Sequence, residues 1–288
     1  MLQLRDIDLI ASVARYYTLT RAQINRLHFP NDHDGRITRR RLNFLSGEGL
    51  INRTHMQVSN PANGAPAYVY YPSAKGCAYL AQELKDETYK TVCTLTPNWQ
   101  HLYHWVAVAD THILFDQGVK RLNGVSIDAW YSEWDVVNAD EKEPEKRYRL
   151  YTKLGQKLVC IPDAGFLFGN RGFRKVFYVE QDRHTTESAD RVAAQKYNGY
   201  AGLYEKRLHI GRHFPLANVE KFSVLVIAPT ANRRDALKLA FKKKHEASSW
   251  LYLFAALPDL KPETVLTAPV WHACNDKTFP LTVEGGVE

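Results

Sequence analysis

A run of arginines between residues 36 and 41 is the feature of this sequence best suited to binding chemistry. Arg36, Arg39, Arg40 and Arg41 each carry a guanidinium group, and no acidic residue lies between 36 and 47. A guanidinium is a planar fork that can donate two hydrogen bonds at once to phosphate or to the edge of guanine. The bias extends over residues 1–60, which contain nine arginines, five acids and no lysine. The pattern favours contact with nucleic acid over the alternative, an ordinary solvated basic face.

The flanking sequence predicts the elements that position these arginines. Apolar residues at three- and four-residue spacing predict a first helix ending near 16–17, and Thr20 followed by Gln23 is typical of the capping box that starts a helix. The arginines then fall on a third helix that ends at Gly47 and Gly49. Extended segments at 51–58 and 68–71 predict a β-hairpin, and a fourth helix is expected to open at Ser73. This order predicts a winged helix-turn-helix domain over residues 1–92.

In such a domain the third helix enters the major groove by its N-terminal half, and the wing contacts the phosphate backbone. We therefore expect binding of double-stranded DNA by residues of the third helix and of the hairpin, namely Arg36, Arg39, Arg40, Asn43, Arg53 and Asn63. Arg41 is set apart from them, because its position faces back toward the second helix. A protein-binding domain of the same fold stays an alternative, since a fold does not determine its function.

The second predicted domain, residues 98–288, follows a polar stretch and combines strands with helices. A long helix is predicted at 99–122, strands at 125–137, 158–168 and 175–182, a helix at 187–205, a strand at 222–228, a helix at 233–245 and a strand at 250–256. This order predicts an α/β domain. With its first domain, the chain is predicted to have a two-domain fold of the α+β or α/β class.

Three acidic residues, Glu133, Asp163 and Glu180, lie toward the ends of the predicted strands. Carboxylates gathered at one edge of a sheet can hold Mg²⁺, which activates water and stabilises charge on a phosphodiester. An aspartate after a proline, followed by a glutamate on the next strand, resembles the PD-(D/E)xK nuclease superfamily, which implies a restriction-endonuclease-like fold. That motif has a lysine two residues after the glutamate, where this chain has Asp182. Lys196 on the following helix is the candidate replacement.

The nuclease hypothesis therefore has two residue sets. The candidate catalytic residues are Asp163, Glu180 and Lys196, and the candidate Mg²⁺ ligands are Glu133, Asp163 and Glu180.

The alternative is that these acids cap strands or pair with arginines such as Arg174, Arg183 or Arg191. We expect an inert nuclease-like domain that serves assembly or DNA contact, and the alternative function is a Mg²⁺-dependent nicking endonuclease. His209 and His213 are expected in a solvent-exposed loop.

Several short motifs, taken in order, resemble the replication-relaxation family. They are RDIDLI at 5–10, TRAQINRLHF at 20–29, RRLNFL at 40–45, GLI at 49–51, His104, IPDA at 161–164, EQDRHTTE at 180–187 and KYNGY at 196–200. The likeness runs from the N-terminus to about Arg234. It implies a protein of a plasmid or other mobile element that acts in replication and in relaxation of plasmid DNA. It also implies that Asp163, Glu180 and Asp182 are typical of the family.

Composition sets the remaining expectations. With 288 residues, 45% of them hydrophobic, the chain can form two cores, and its net charge is +7. Four scattered cysteines without a Cys-x-x-Cys pair argue against a zinc ribbon and fit a reducing compartment. No apolar run is long enough for a membrane span, so we expect a cytoplasmic protein without a membrane partner.

The expected partners follow from these hypotheses. They are double-stranded DNA, a replication or mobilisation protein, and a second copy of the chain in a homodimer. DNA binding is expected to need no cofactor, and Mg²⁺ enters only with the nuclease alternative. A transcriptional repressor is the other alternative function.

Overall fold

The structure, a computed structural model, describes residues 2–57, 67–183, 188–244 and 250–282 of the chain. It contains two compact units, Met1–Ile113 and Leu114–Glu288. The domains predicted at 1–92 and 98–288 stay predictions, because compactness alone does not show which part of a chain folds independently.

The first unit has the predicted order of three helices, a hairpin and a further helix. Its described elements are α1 (Leu4–Tyr16), β1 (Leu19–Thr20), α2 (Arg21–His28), α3 (Arg36–Gly47), β2 (Ile51–His55), β3 (Tyr68–Pro72), α4 (Ala74–Glu83), a 3₁₀ turn (Glu87–Thr91) and the first part of α5 (Leu102–Val119). The three strands form an antiparallel sheet in which β3 lies between β1 and β2.

Local sequence signals explain where α2 begins. The hydroxyl of Thr20 accepts a hydrogen bond from the amide of Gln23 at 3.3 Å, and the side chain of Gln23 accepts one from the amide of Thr20 at 2.7 Å. This is the predicted capping box, which satisfies two amides that the helix itself leaves unpaired. The helices then pack through buried side chains of α1, α2 and α3, namely Leu9, Val13, Ile24, Leu42 and Leu45.

The junction between α3 and α4 depends on a glycine. Ser73 caps α4 by accepting from the amide of Gly76 at 2.9 Å, and its hydroxyl donates to the carbonyl of Gly49 at 2.8 Å. A Cβ at Gly76 would lie 2.0 Å from the carbonyl oxygen of Leu50, a distance no side chain tolerates. Glycine at 76 thus brings the start of α4 against the segment that leaves α3.

The second unit is built on one mixed sheet with helices. Its described elements are the last part of α5, β4 (Val125–Ser132), α6 (Pro144–Arg147), β5 (Thr152–Lys153), β6 (Val159–Cys160), β7 (Ala164–Asn170), β8 (Phe173–Gln181), α7 (Ala189–Glu205), a π-helical turn (His209–His213), β9 (Phe222–Ala228), α8 (Ala231–Lys244), β10 (Tyr252–Ala256), a 3₁₀ turn (Leu257–Asp259), β11 (Trp271–Ala273) and β12 (Thr278–Phe279).

Seven described strands form this sheet in the order β12-β11-β10-β9-β8-β7-β4. Strands β4, β7 and β8 are antiparallel neighbours, whereas β9 is parallel to both β8 and β10. Strands β11 and β12 add an antiparallel edge. The chain is thus mixed α/β with a mixed sheet, while the winged-helix and restriction-endonuclease-like assignments stay predictions.

Two of the differences between predicted and observed strand bounds bear on the candidate site. The strand predicted at 158–168 is two strands, β6 and β7, because Pro162 lies between them and has no amide hydrogen to donate to a ladder. The strand predicted at 125–137 ends at Ser132, so Glu133 lies in the turn that follows it.

The expectation of solvent-exposed histidines at 209 and 213 is wrong. Both side chains are buried in the π-helical turn. The ring of His213 lies 2.7 Å from the hydroxyl of Thr152 through Nε2 and 2.6 Å from the hydroxyl of Tyr178 through Nδ1. Burial and the charge of Arg212 lower the pKa of His213 to about 3, so the ring is neutral at neutral pH.

Within the described ranges, no helix is both long and apolar enough to cross a bilayer.

Candidate functional site

The two faces of α3 differ sharply in burial. Thr38, Leu42 and Leu45 face the core of the first unit, whereas the side chains predicted to contact DNA, Arg36, Arg39, Arg40 and Asn43, are all exposed. The side chain of Arg36 is 85% exposed. The sequence prediction that α3 packs on one side and presents arginines on the other is therefore consistent with the burial of its residues.

The exposed arginines differ in their partners. Arg36 lies 3.3 Å from the carboxylate of Asp34, which is itself exposed. For Arg39 and Arg40, no ion pair is found among the residues that the structure describes. Since α3 has no acidic residue, most of its exposed positive charge is not compensated within the helix. Uncompensated guanidinium groups on one helix face attract a polyanion.

Asp32 holds the N-terminus of α3 and was not singled out by the sequence analysis. Its carboxylate accepts hydrogen bonds from the amide of Ile37 at 3.2 Å, and from the amide and hydroxyl of Thr38 at 2.7 and 2.6 Å. Burial disfavours its charge, but these hydrogen bonds lower the pKa of Asp32 to about 2. The carboxylate thus stays ionised and fixes the end of α3 that carries Arg36.

Arg41 faces the core and not the exposed side of α3. Its guanidinium pairs with the buried carboxylate of Asp6 in α1, and it lies over the ring of Phe44. The sequence predicted that Arg41 faces the second helix, and the ion pair found for it joins it to the first. Arg41 therefore joins two helices and is separate from the exposed arginine set.

A cleft lies between α3 and β2. It has a volume of about 460 Å³ and is lined by Asn43, Ser46, Gly47, Ile51, Asn52 and Arg53. Arg53 donates from Nη1 to the side-chain oxygen of Asn43 at 3.0 Å, and its guanidinium lies 4.5 Å from the ring centroid of Tyr68. Two predicted DNA contacts are thus brought together. The other predicted hairpin contact, Asn63, lies outside the described residues.

The second candidate site lies where β8 meets α7. The ammonium of Lys196 contacts the carboxylate of Glu180 and lies 3.9 Å from Oδ1 of Asp163. Both carboxylates are buried, and Tyr200 donates its hydroxyl to Oε1 of Glu180 at 2.6 Å. The three predicted catalytic residues are therefore neighbours.

Glu133 reaches this cluster through its backbone. Its amide donates to the carbonyl oxygen of Asp163 at 3.0 Å, while the carboxylate of Asp163 accepts from the amide of Gln181 at 2.6 Å. No group of three or more histidine, cysteine, aspartate or glutamate side chains placed to hold a metal occurs within the described ranges. The assignment of Glu133, Asp163 and Glu180 as Mg²⁺ ligands stays a prediction.

Burial and charge control the protonation of this cluster. Burial raises the pKa of Glu180, an effect that the ammonium of Lys196 opposes. Burial alone would lower the pKa of Lys196, but Glu180 and Asp163 raise it, so the ammonium stays protonated. Next to it is a cleft of about 200 Å³, which Lys196 shares with Cys160. Because burial raises the pKa of Cys160 to about 12, its thiol is not a nucleophile at neutral pH.

Asp182, in the position of the nuclease lysine, is engaged in an ion pair. Arg233 of α8 donates from Nε and Nη2 to its two carboxylate oxygens at 2.8 and 3.1 Å, and both side chains are largely buried. The sequence predicted arginine partners for the acids at the strand ends, but Arg233 was not among the candidates. Of those candidates, Arg174 lies 3.1 Å from the carboxylate of Asp128.

Most of the functional residues that sequence reasoning missed are partners in contacts between distant parts of the sequence. Asp32 had a local signal, because an aspartate shortly before a helix is a frequent cap. Asp6, Tyr200 and Arg233 had none, since each contacts a residue at least 20 positions away in the sequence.

Comparison with known proteins identifies the family. No curated protein and no solved structure matches the chain. The replication-relaxation family matches residues 10–215, which is more than half of the 288 residues and spans both α3 and the cluster around Glu180. The chain therefore belongs to the replication-relaxation family.

Proposed function

We propose that this protein binds double-stranded DNA through α3 and the β2–β3 hairpin, used as a winged helix-turn-helix. The observation that carries the proposal is the exposed face of α3, where Arg36, Arg39 and Arg40 project away from the core on a helix without acidic residues. A helix of this kind fits the major groove, and guanidinium groups suit both phosphates and guanine.

The roles of the individual residues follow from their positions. The proposed base-reading residues lie at the two ends of the exposed face of α3. One is Arg36, nearest the N-terminus of the helix, and the other is Asn43, which also lines the cleft. Ile37 is 47% exposed beside Arg36 and can contact the methyl group of thymine. Arg53, held by Asn43, is placed for the phosphate backbone.

Membership of the replication-relaxation family supports a role in the replication or relaxation of plasmid or mobile-element DNA. In this proposal the DNA-bound chain recruits a replication or mobilisation protein, with a homodimer reading two half-sites. A transcriptional repressor shares the same DNA contact and differs only in the consequence of binding.

The test measures binding to plasmid fragments by gel shift, followed by fluorescence anisotropy on the bound fragment. The variant Arg36→Ala with Arg40→Ala is expected to lose specific binding, and the slope of log affinity against log salt should become shallower by about 0.9 for each lost phosphate contact. The matched control is Lys153→Ala with Lys157→Ala, which removes two exposed charges from the second unit. If both double variants lose the same binding affinity, or if the arginine double variant loses none, α3 is rejected as the recognition helix.

A second candidate function, Mg²⁺-dependent nicking, is favoured by the contacts that bring Asp163, Glu180 and Lys196 together. Carboxylate oxygens are the ligands that Mg²⁺ prefers, so Asp163 and Glu180 are the residues that would hold it, and the ion would stabilise charge on a phosphodiester. In the structure the ammonium of Lys196 already neutralises part of the negative charge of these two carboxylates. Supercoiled plasmid incubated with the protein and Mg²⁺ tests this function: nicking that disappears in Asp163→Ala supports it, and intact plasmid opposes it.

A further inference from the structure

The hairpin that joins β7 to β8 has an unusual tip. Only two residues, Arg171 and Gly172, connect the paired residues Asn170 and Phe173. Both connecting residues have positive φ angles, 47° and 92°. Two-residue hairpin loops of this kind favour asparagine and glycine, and an arginine in the left-handed region is uncommon. The amide of Arg171 also donates to the carbonyl of Gly124 at 2.8 Å, so the tip is anchored at a fixed position.

The tip is strongly basic. Residues 170–175 carry Arg171, Arg174 and Lys175 and no acid, and positions 171–175 are all exposed. Arg174 is partly compensated by Asp128 at 3.1 Å, and the ammonium of Lys175 lies 5.0 Å from the ring centroid of Phe177. Among the described residues no ion pair is found for Arg171 or Lys175. Two positive charges on one short turn are therefore available to an anion.

An exposed aromatic ring lies among these charges. Phe173 is 62% exposed, whereas three other phenylalanines of the same two strands, Phe166, Phe168 and Phe177, are buried in a cluster of ring contacts. A large aromatic side chain that is mostly exposed beside cations contributes little to the core. It offers a flat surface on which another ring can stack.

We propose that the β7–β8 tip binds a single-stranded segment of nucleic acid, with Arg171 and Lys175 on the phosphates and one base stacked on Phe173. Charge complementarity selects a polyanion, and stacking selects an unpaired base, because the faces of bases in a duplex are covered by their neighbours. This site lies in the second unit and does not depend on DNA binding by α3.

The experiment measures anisotropy of a labelled oligothymidylate with the full chain in a background that lacks the proposed DNA contacts of α3, namely Arg36→Ala, Arg39→Ala, Arg40→Ala and Asn43→Ala. In this background Phe173→Ala is expected to weaken binding roughly tenfold, whereas Phe173→Tyr preserves it. An abasic strand of equal length keeps the phosphates but lacks bases. Its affinity for the parent protein should be as low as the affinity of the oligothymidylate for the Phe173→Ala variant. The control Phe279→Ala removes an exposed aromatic from β12 and should change nothing.

The charges are tested separately. Arg171→Gln and Lys175→Gln are each expected to reduce the salt slope for the single strand by about 0.7, with Lys157→Gln as the unaffected control. Three results overturn the proposal: Phe173→Ala binding like its parent, an abasic strand binding as well as oligothymidylate, or a preference for duplex over single strand. Binding only to vesicles of anionic phospholipid overturns it as well and assigns the tip to a membrane surface.

Discussion

Arg41 and Asp6 form an ion pair that joins α3 to α1 across 35 positions of sequence. The carboxylate of Asp6 is buried. It also accepts a hydrogen bond from the backbone amide of Gln3 at 2.6 Å, as part of the cap of α1. Burial disfavours its charge, but the hydrogen bond and charge of Arg41 lower the pKa of Asp6 below its usual range. The neighbouring Arg40 on α3 is exposed, so adjacent arginines serve two separate purposes.

Arg41→Ala should therefore destabilise the protein, and Arg40→Ala should not. Removing Arg41 leaves the Asp6 carboxylate buried without its countercharge, which costs about 3 kcal/mol of unfolding free energy. Arg40→Ala, a surface change, should stay within about 0.5 kcal/mol. Urea denaturation followed by circular dichroism measures the stability of both variants. DNA affinity should show the opposite effect, with Arg40→Ala weakening binding more than Arg41→Ala. Equal stability of the two variants would contradict the buried pair.

A change at Asp32 should act through the end of α3. Asp32→Asn removes the charge that accepts hydrogen bonds from Ile37 and Thr38, so the variant is expected to melt at a lower temperature than the parent at pH 7. Because the pKa is about 2 in the folded state and higher in the unfolded chain, this stability is present above about pH 4 and lost as the pH falls through 2.

The control for this variant is Asp8→Asn, an exposed change on α1. Melting curves from pH 7 to pH 2 should show the gap between Asp32→Asn and the parent closing at the acid end, while Asp8→Asn follows the parent throughout. A gap that is independent of pH would show that the charge of Asp32 is not what stabilises α3.

His213 should limit stability in acid. Its folded pKa of about 3 lies below that of an unfolded histidine, so its contribution is complete above about pH 6.5 and is lost progressively as the pH falls toward 3. The loss amounts to about 4 kcal/mol by pH 3. His213→Gln cannot take up this proton, so its stability should fall less steeply over the same interval, although it starts lower because hydrogen bonds to Thr152 and Tyr178 are disturbed.

The measurement is urea denaturation at a series of pH values, with His33→Gln as the control because His33 is exposed. The decisive quantity is the slope of the unfolding free energy against pH, which does not depend on the starting value. Parallel slopes for the parent and His213→Gln would count against a neutral buried ring.

The sequence predicted local structure well because the signals for it are local. The capping box at Thr20 and Gln23 and the two-faced pattern of α3 each lie within one turn or one helix, where spacing determines which side chains meet. Pairings across the fold could not be obtained this way. Arg233 and Asp182 are 51 positions apart, and only the register of β8 with β9 and the packing of α8 bring them together.

The candidate cluster shows the same limit. Asp163 and Glu180 were found because a motif links them, and Lys196 because it lies on the following helix and could replace the lysine that the motif has where this chain has Asp182. The hydrogen bond from Tyr200 to Glu180 had no such signal, because tyrosines at helical spacing predict only a packed helix side. Burial of the carboxylates, which determines their protonation, depends on the whole sheet.

Glu180 should make stability fall as the pH rises. Burial raises its folded pKa above the ordinary glutamate value, with Asp163 adding to the effect and Lys196 opposing it. The folded protein therefore keeps a proton at pH values where the unfolded chain has lost it, and unfolding becomes easier as the pH rises above about 4.5. Glu180→Gln keeps an acceptor for Tyr200 but has no charge, so its stability should rise relative to the parent over that interval.

Denaturation curves from pH 4 to pH 8 measure this difference, with the exposed Glu205→Gln as the control that should follow the parent. A Glu180→Gln curve parallel to the parent would mean that Lys196 compensates the Glu180 charge fully, so that the two side chains form an ion pair in the folded protein that takes up no proton over this interval.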